Sequence, residues 1–225
     1  MDRIAVKTNV LAANQEIAAV NRRLFDDQGI TVLNLMSAPG AGKTTLLERT
    51  IRHVRARHHI AVIEGDLQTD LDAQRIRALG VAAHQITTGT ICHLDARMIS
   101  RALDEFPIPG IDVLVIENVG NLICPASYFL GEHLRVVLCS AAEGAEKPKK
   151  YPVMFNKADV ILINKSDLAA ASGVDLSAME TNVREVNPAA TVFTISCKTC
   201  VGLDDWLDWL QRAIQSRSIT AVRST

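Results

Sequence analysis

Ser37-Ala38-Pro39-Gly40-Ala41-Gly42-Lys43-Thr44-Thr45 follows the apolar run Ile30–Met36 and opens a helical stretch, Thr44–Arg57. Strand, small-residue loop and helix, in that order, are the setting of a phosphate-binding P-loop. Residues as small as Gly40, Ala41 and Gly42 let successive backbone N–H groups turn toward phosphate oxygens. The helix N-terminus behind them adds positive potential. In such a loop Lys43 reaches the β- and γ-phosphates and the Thr44 hydroxyl ligates Mg²⁺, while Thr45 belongs to the same nucleotide-binding set. Ser37 stands where the strict pattern has its first glycine.

A second motif selects the base. Asn164-Lys165-Ser166-Asp167 follows the apolar run Val160–Ile163 and so falls at the C-terminal end of a strand. Ligands of open α/β sheets bind at that edge. The Asp167 carboxylate accepts two N–H donors from guanine, whereas adenine offers no such pair and leaves the carboxylate unsatisfied. Asn164 is expected to tie this loop to the P-loop, and the Lys165 stem to cover the base. Ser196-Cys197-Lys198, after the strand-like run Thr191–Ile195, resembles a second guanine-contacting loop. The expected substrate is GTP.

Two acidic positions complete a hydrolase site. Glu64-Gly65-Asp66 ends the run Ile60–Ile63, and Asp66 is the candidate for a first switch near Mg²⁺ and the attacking water. Glu117-Asn118-Val119-Gly120 ends the run Ile111–Ile116. Glu117 stands where most GTPases carry aspartate; it can hold Mg²⁺ through water, and the Gly120 amide can sense the γ-phosphate. Lys43, Asp66, Glu117 and Gly120 are thus the catalytic candidates, with Thr44, Asp66 and Glu117 around the Mg²⁺.

The rest of the chain fits this reading. Its 225 residues, 48% hydrophobic, can bury one large core. A net charge of −1 and an aromatic content of 4% supply neither a basic field nor stacking platforms for nucleic acid. Met1-Asp2-Arg3-Ile4 opens no apolar leader, and no run approaches membrane-spanning length. A cytoplasmic protein is expected, with its five cysteines reduced. Residues 1–29 are read as an N-terminal amphipathic helix with the stripe Val10, Ala13, Ile17, Val20 and Leu24. Residues 30–215 are read as a P-loop GTPase domain and 216–225 as a frayed tail. Alternating strands and helices predict an α/β fold, a P-loop NTPase whose mainly parallel sheet is covered by helices on both faces. Gly144–Tyr151 is expected to be a charged loop, His133 a solvated residue and Cys139 a core thiol.

Cys92, His93 and Cys124 carry the unusual chemistry. Cys92 and His93 lie between a strand and a helix, and Cys124 lies seven residues beyond Glu117, next to the loop that senses the γ-phosphate. Thiolate and imidazole donors suit Zn²⁺ or Ni²⁺. In extended chain neighbouring side chains point to opposite sides. The pair therefore shares an ion only if the backbone bends; otherwise the ion lies between subunits. Three donors also fall one short of a closed tetrahedral site, which suits a labile centre.

From about Asn9 to the last helix the chain resembles the hydrogenase nickel-incorporation GTPases (the HypB family), a branch of the dimerising P-loop GTPases. The specific segments are Cys92-His93-Leu94-Asp95-Ala96 and Asn121-Leu122-Ile123-Cys124-Pro125, supported by Glu64-Gly65-Asp66, Lys147-Pro148 and Asn164-Lys165-Ser166-Asp167. The resemblance implies GTP hydrolysis coupled to nickel insertion into the large-subunit precursor of [NiFe]-hydrogenase, and a Ni²⁺ or Zn²⁺ site made by Cys92, His93 and Cys124. It also implies a nucleotide-promoted homodimer and a nickel-binding metallochaperone partner. Residues 1–29 contain no cysteine or histidine, unlike some members with an N-terminal nickel site, and Arg97 replaces a further histidine. The alternatives are the urease-accessory GTPases, whose Cys-Pro-His is interrupted here by Ala126, a GTPase serving another metalloenzyme, or a regulatory GTPase with structural zinc.

Overall fold

The computed structural model describes residues 3–106 and 108–223. The apolar runs become seven strands: β1 (Thr31–Ser37), β2 (Ile60–Asp66), β3 (Ala82–Thr87), β4 (Val113–Glu117), β5 (Leu134–Ser140), β6 (Val160–Asn164) and β7 (Thr191–Thr194). They form one parallel sheet in the order β3-β2-β4-β1-β5-β6-β7. β1, β4 and β6 are buried along their whole length, as unbroken apolar strands covered on both faces must be. The edge strands β3 and β7 are only partly covered.

Eight helices surround the sheet among the described residues: α1 (Arg3–Asp27), α2 (Lys43–Val54), α3 (Leu71–Arg77), α4 (Ala96–Glu105), α5 (Lys147–Lys150), α6 (Pro152–Asn156), α7 (Leu176–Val186) and α8 (Leu203–Arg223). α2 and α8 cover one face, burying Leu47, Ile51, Trp206 and Leu210 against Leu35 and Val115. On the other face Phe25 of α1 and Ile99 of α4 pack over β1, β2 and β4. Met154, Phe155 and Met179 close the half over β5 and β6.

Four expectations are corrected. Gly144–Tyr151 is not a plain loop: it contains α5, where Lys147 and Lys150 pair with Glu143 and Glu146 one turn earlier. α8 runs on through the expected tail to Arg223, and Ser224 and Thr225 lie outside the described residues. His133 is not solvated; its imidazole accepts from Val32 N at 2.9 Å through Nδ1 and meets Asp26 at 2.9 Å through Nε2. Burial pushes that imidazole down to about 4. The docked face of α1 is Asn14, Ala18, Asn21 and Phe25, while Val10 and Val20 of the expected stripe are 49% and 53% exposed. The physical reason is that two asparagines, which a hydropathy pattern assigns to solvent, find buried backbone partners.

Leu210→Ala removes a fully buried side chain between α8 and the sheet. It lowers stability by about 2–5 kcal/mol, seen as a lower urea midpoint with an unchanged slope.

Candidate nucleotide and metal site

A parallel sheet puts the C-terminal ends of its strands on one edge, and the sequence motifs converge there. The P-loop links β1 to α2. Gly42, at φ +103°, is left-handed, and a Cβ there would come within 2.6 Å of Asn164 Nδ2. Lys43 Nζ donates to Ser37 Oγ at 3.2 Å, so the serine that replaces the first glycine holds the lysine across the loop. Gly120 lies against the same loop, with a Cβ there 3.0 Å from Pro39 Cα.

The base loops are already joined to one another. Asn164 Nδ2 donates to Ala41 O at 2.9 Å, and its Oδ1 accepts from Cys197 N at 3.0 Å. One buried amide thus spans P-loop and Ser196-Cys197-Lys198 loop. Lys165 Nζ donates to Gly40 O at 2.7 Å. Ser196 Oγ donates to Asp167 Oδ1 at 2.6 Å, fixing a carboxylate whose residue is exposed and open to a ligand. Cys197 contributes its backbone N–H; its side chain is buried in the core, which pushes the thiol up to about 11, while Cys200 is exposed.

At the centre of the edge two acids meet. β2 and β4 pair Glu64 with Glu117, and both side chains are buried. Thr44 Oγ1 donates to Glu117 Oε1 at 3.0 Å, while Glu117 Oε2 and Glu64 Oε1 are buried without a donor. Burial, then the facing Glu117, push Glu64 up to about 10. Burial pushes Glu117 up to about 7 against the opposing pull of Lys43. Glu64 was not among the sequence candidates; Asp66 was. The Asp66 Oδ1 instead accepts from Gln68 N at 3.0 Å and Thr69 N at 2.8 Å. Burial opposes its charge, but those donors hold it below the usual carboxylate range. The alternation of a strand places residues 64 and 66 on the same side, but only the register with β4 shows which of them meets Glu117. The buried Glu117 Oε2, lacking a donor and close to the Thr44 hydroxyl, matches the oxygen coordination of a hard divalent cation, so Thr44 and Glu117 fit Mg²⁺.

Cys92, His93 and Cys124 follow the C-terminal ends of β3 and β4. The segment after β3 turns, with Ile91 N bonding back to Thr88 O at 3.2 Å and Gly89 at φ +66°. The backbone therefore bends, and one donor atom from each of Cys92, His93 and Cys124 lies within 4.8 Å of the others in a single chain. An ion shared between subunits is not required by geometry. Cys92 Sγ and Cys124 Sγ are 3.0 Å apart, and His93 Nδ1 is buried without a hydrogen bond. Burial lowers the His93 pKa, which favours the neutral, metal-binding imidazole. Tyr128, absent from the sequence candidates, lies against the His93 ring with centroids 4.0 Å apart.

The model of the CobW/HypB/UreG nucleotide-binding domain matches residues 31–194. The chain belongs to that family, in its HypB branch. The hydrogenase maturation factor HypB of Azotobacter vinelandii is 47% identical over 209 residues, 93% of this chain and 69% of its own. Two solved HypB structures superpose with TM-scores of 0.85 at 41% identity. One, from Archaeoglobus fulgidus, matches 90% of this chain and 99% of its own. The other, from Helicobacter pylori in complex with nickel, matches 92% and 97%. No helix among the described residues of this HypB-family chain is long and apolar enough to cross a membrane.

Two outcomes follow for this member of the HypB branch. Because folding raises the pKa of both Glu64 and Glu117 above the ordinary 4.5, their contribution to stability is fully present below about 4.5 and is lost as pH rises through the raised values of the pair. Glu64→Gln therefore stabilises the nucleotide-free protein by about 1–4 kcal/mol at pH 8 and much less at pH 5, read by urea unfolding at both pH values. Asp167→Asn weakens GDP by about 10²- to 10⁴-fold and improves xanthosine diphosphate, whose extra carbonyl accepts from the new amide; calorimetric titration of both nucleotides checks it.

Proposed function

We propose that the protein is a cytoplasmic GTP-hydrolysing metallochaperone that inserts nickel into the large subunit of [NiFe]-hydrogenase. The observation that carries this reading is the convergence of Cys92, His93 and Cys124, which follow strands of the same sheet edge that carries the linked P-loop and Asn164–Asp167 loops. The relatives named hydrogenase maturation factors, and the Helicobacter pylori homologue crystallised with nickel, support it.

Lys43 and the backbone N–H groups of Gly40, Ala41, Gly42, Thr44 and Thr45 receive the phosphates. Asn164, Lys165, Asp167, Ser196, Cys197 and Lys198 frame the guanine. Thr44 and Glu117 hold a Mg²⁺ that, when bound, neutralises charge on the β- and γ-phosphates. Asp66 anchors the loop after β2 and meets the attacking water when that loop closes. Water oxygen bonds to the γ-phosphorus as the bond to the β,γ-bridging oxygen breaks, giving GDP and phosphate. Gly120, packed on Pro39, registers the presence of the γ-phosphate through its amide.

Nickel is the cargo. Cys92, His93 and Cys124 supply three donors and leave further positions to a partner. A homodimer meeting over the nucleotide aligns these segments, a nickel-binding partner chaperone loads them, and the hydrogenase large-subunit precursor receives the ion. The same site accepts Zn²⁺. Cys124 lies just past the Gly120 segment, so metal and nucleotide bias one stretch of chain, and their coupling is reciprocal, typically about 1–3 kcal/mol.

The test is titration of apo-protein with Ni²⁺ and Zn²⁺ in GDP and in a non-hydrolysable GTP analogue, with mass followed in parallel. The expected outcome is that metal affinity and dimerisation shift with nucleotide and that Cys124→Ala removes the shift. Metal binding that is identical in every nucleotide state, with slow release, assigns the triad to structural zinc and overturns delivery.

A further inference from the structure

The two donor-bearing segments are separate in sequence and irregular, so something must hold them at bonding distance. Cys92 and His93 lead through Asp95, whose side chain caps α4, into Ala96. Cys124 leads through a short turn to Tyr128, Phe129 and Leu130. Neither segment pairs with a strand of the sheet.

α1 bonds to both. Asn14 Oδ1 accepts from Ala96 N at 2.8 Å, and its Nδ2 donates to Phe129 O at 2.8 Å. Two turns later Asn21 Nδ2 donates to Ala96 O at 2.9 Å and to Leu130 O at 3.1 Å. Each amide therefore touches the continuation of both donor segments, and Ala96 is held through its N–H and its carbonyl. Asn14 is 7% and Asn21 2% exposed. The helix seats closely: Gly131 has φ +99°, and a Cβ there would come within 2.9 Å of Ala18 O and Arg22 N. Arg22 Nη1 adds a bond to Glu132 O at 2.7 Å. These bonds satisfy the Phe129 and Leu130 carbonyls and the first N–H of α4, groups that neither the sheet nor the helix pairs, and add a second donor to Ala96 O.

We propose that Asn14 and Asn21 of α1 are positioning residues of the metal site, bridging the two donor segments from behind and setting the separation of Cys92 and His93 from Cys124. The proposal rests on the metal triad assigned above. Groups that orient ligands from outside the coordination sphere typically change metal affinity about 10- to 100-fold when removed. α1 is thus part of the metal centre while contributing no donor to it. The same bonds explain why two asparagines stand on its docked face.

The experiment loads the full chain with Co²⁺, a coloured probe, and measures its affinity by competition with a chelator and its thiolate charge-transfer spectrum. Zn²⁺ affinity and GDP affinity are measured alongside. Wild type, Cys124→Ala, Asn14→Ala, Asn21→Ala and Leu210→Ala are compared, with Asn14→Ser read if either alanine variant is not folded. The expected result is a loss of about 10- to 100-fold in Co²⁺ and Zn²⁺ affinity with an altered Co²⁺ spectrum in the asparagine variants. GDP affinity of the metal-free protein stays unchanged, and Leu210→Ala, a core destabilisation elsewhere, binds metal as wild type does. Asparagine variants that lose stability yet keep the wild-type metal affinity and spectrum overturn the proposal, as does an equal loss in Leu210→Ala. If Cys124→Ala binds as wild type does, the triad itself is wrong and the clamp falls with it.

Discussion

The amide of Asn118 holds the functional edge together. Its Oδ1 accepts from Leu94 N at 3.1 Å and Val119 N at 3.0 Å, and its Nδ2 donates to Asn34 Oδ1 at 3.2 Å. Asn34 passes the contact to Glu132, which pairs with Arg135; Arg135 reaches the carbonyls of Pro125 and Ala126. A polar chain of this kind inside an apolar sheet is tolerated only because its members are bonded to one another. It joins the residue after Glu117 to the residue after His93 and to the residues after Cys124. The segment after β4 and the segments that carry the thiols therefore share one buried scaffold, a physical route for the coupling proposed above.

Much of this was legible from residue order. A parallel sheet follows from short apolar runs alternating with helical stretches, and parallel strands leave no choice about which edge collects their C-terminal loops. Once the P-loop was placed, Asn164, Asp167 and Ser196 had to fall beside it. The Asn164 link to the P-loop was readable because a short amide at that position has few other partners within reach. The convergence of Cys92, His93 and Cys124 was readable only as a possibility, since it depends on a turn at Gly89 that a donor pattern does not encode.

The buried polar groups that the pattern hid have a common cause. Hydropathy counts an asparagine as solvent-facing, yet Asn14, Asn21, Asn34 and Asn118 are all buried. Each offsets its desolvation through bonds to groups distant in sequence, which no local window contains. Glu64 escaped notice for a related reason: its partner is defined by the register of β2 on β4 rather than by spacing. His133 was misplaced because its neighbour in space, Asp26, lies far earlier in the chain. Long-range polar pairing, and the local helical turns of α5 and the end of α8, were the illegible parts; the apolar core was not.

The donor triad has a kinetic meaning beyond its affinity. Three half-buried side chains whose donor atoms lie within 4.8 Å of one another would leave a side of a bound ion open to an incoming ligand. For an ion held there, an incoming thiolate or imidazole would have room to bond before a resident donor departs, so that transfer would not require free ion in water.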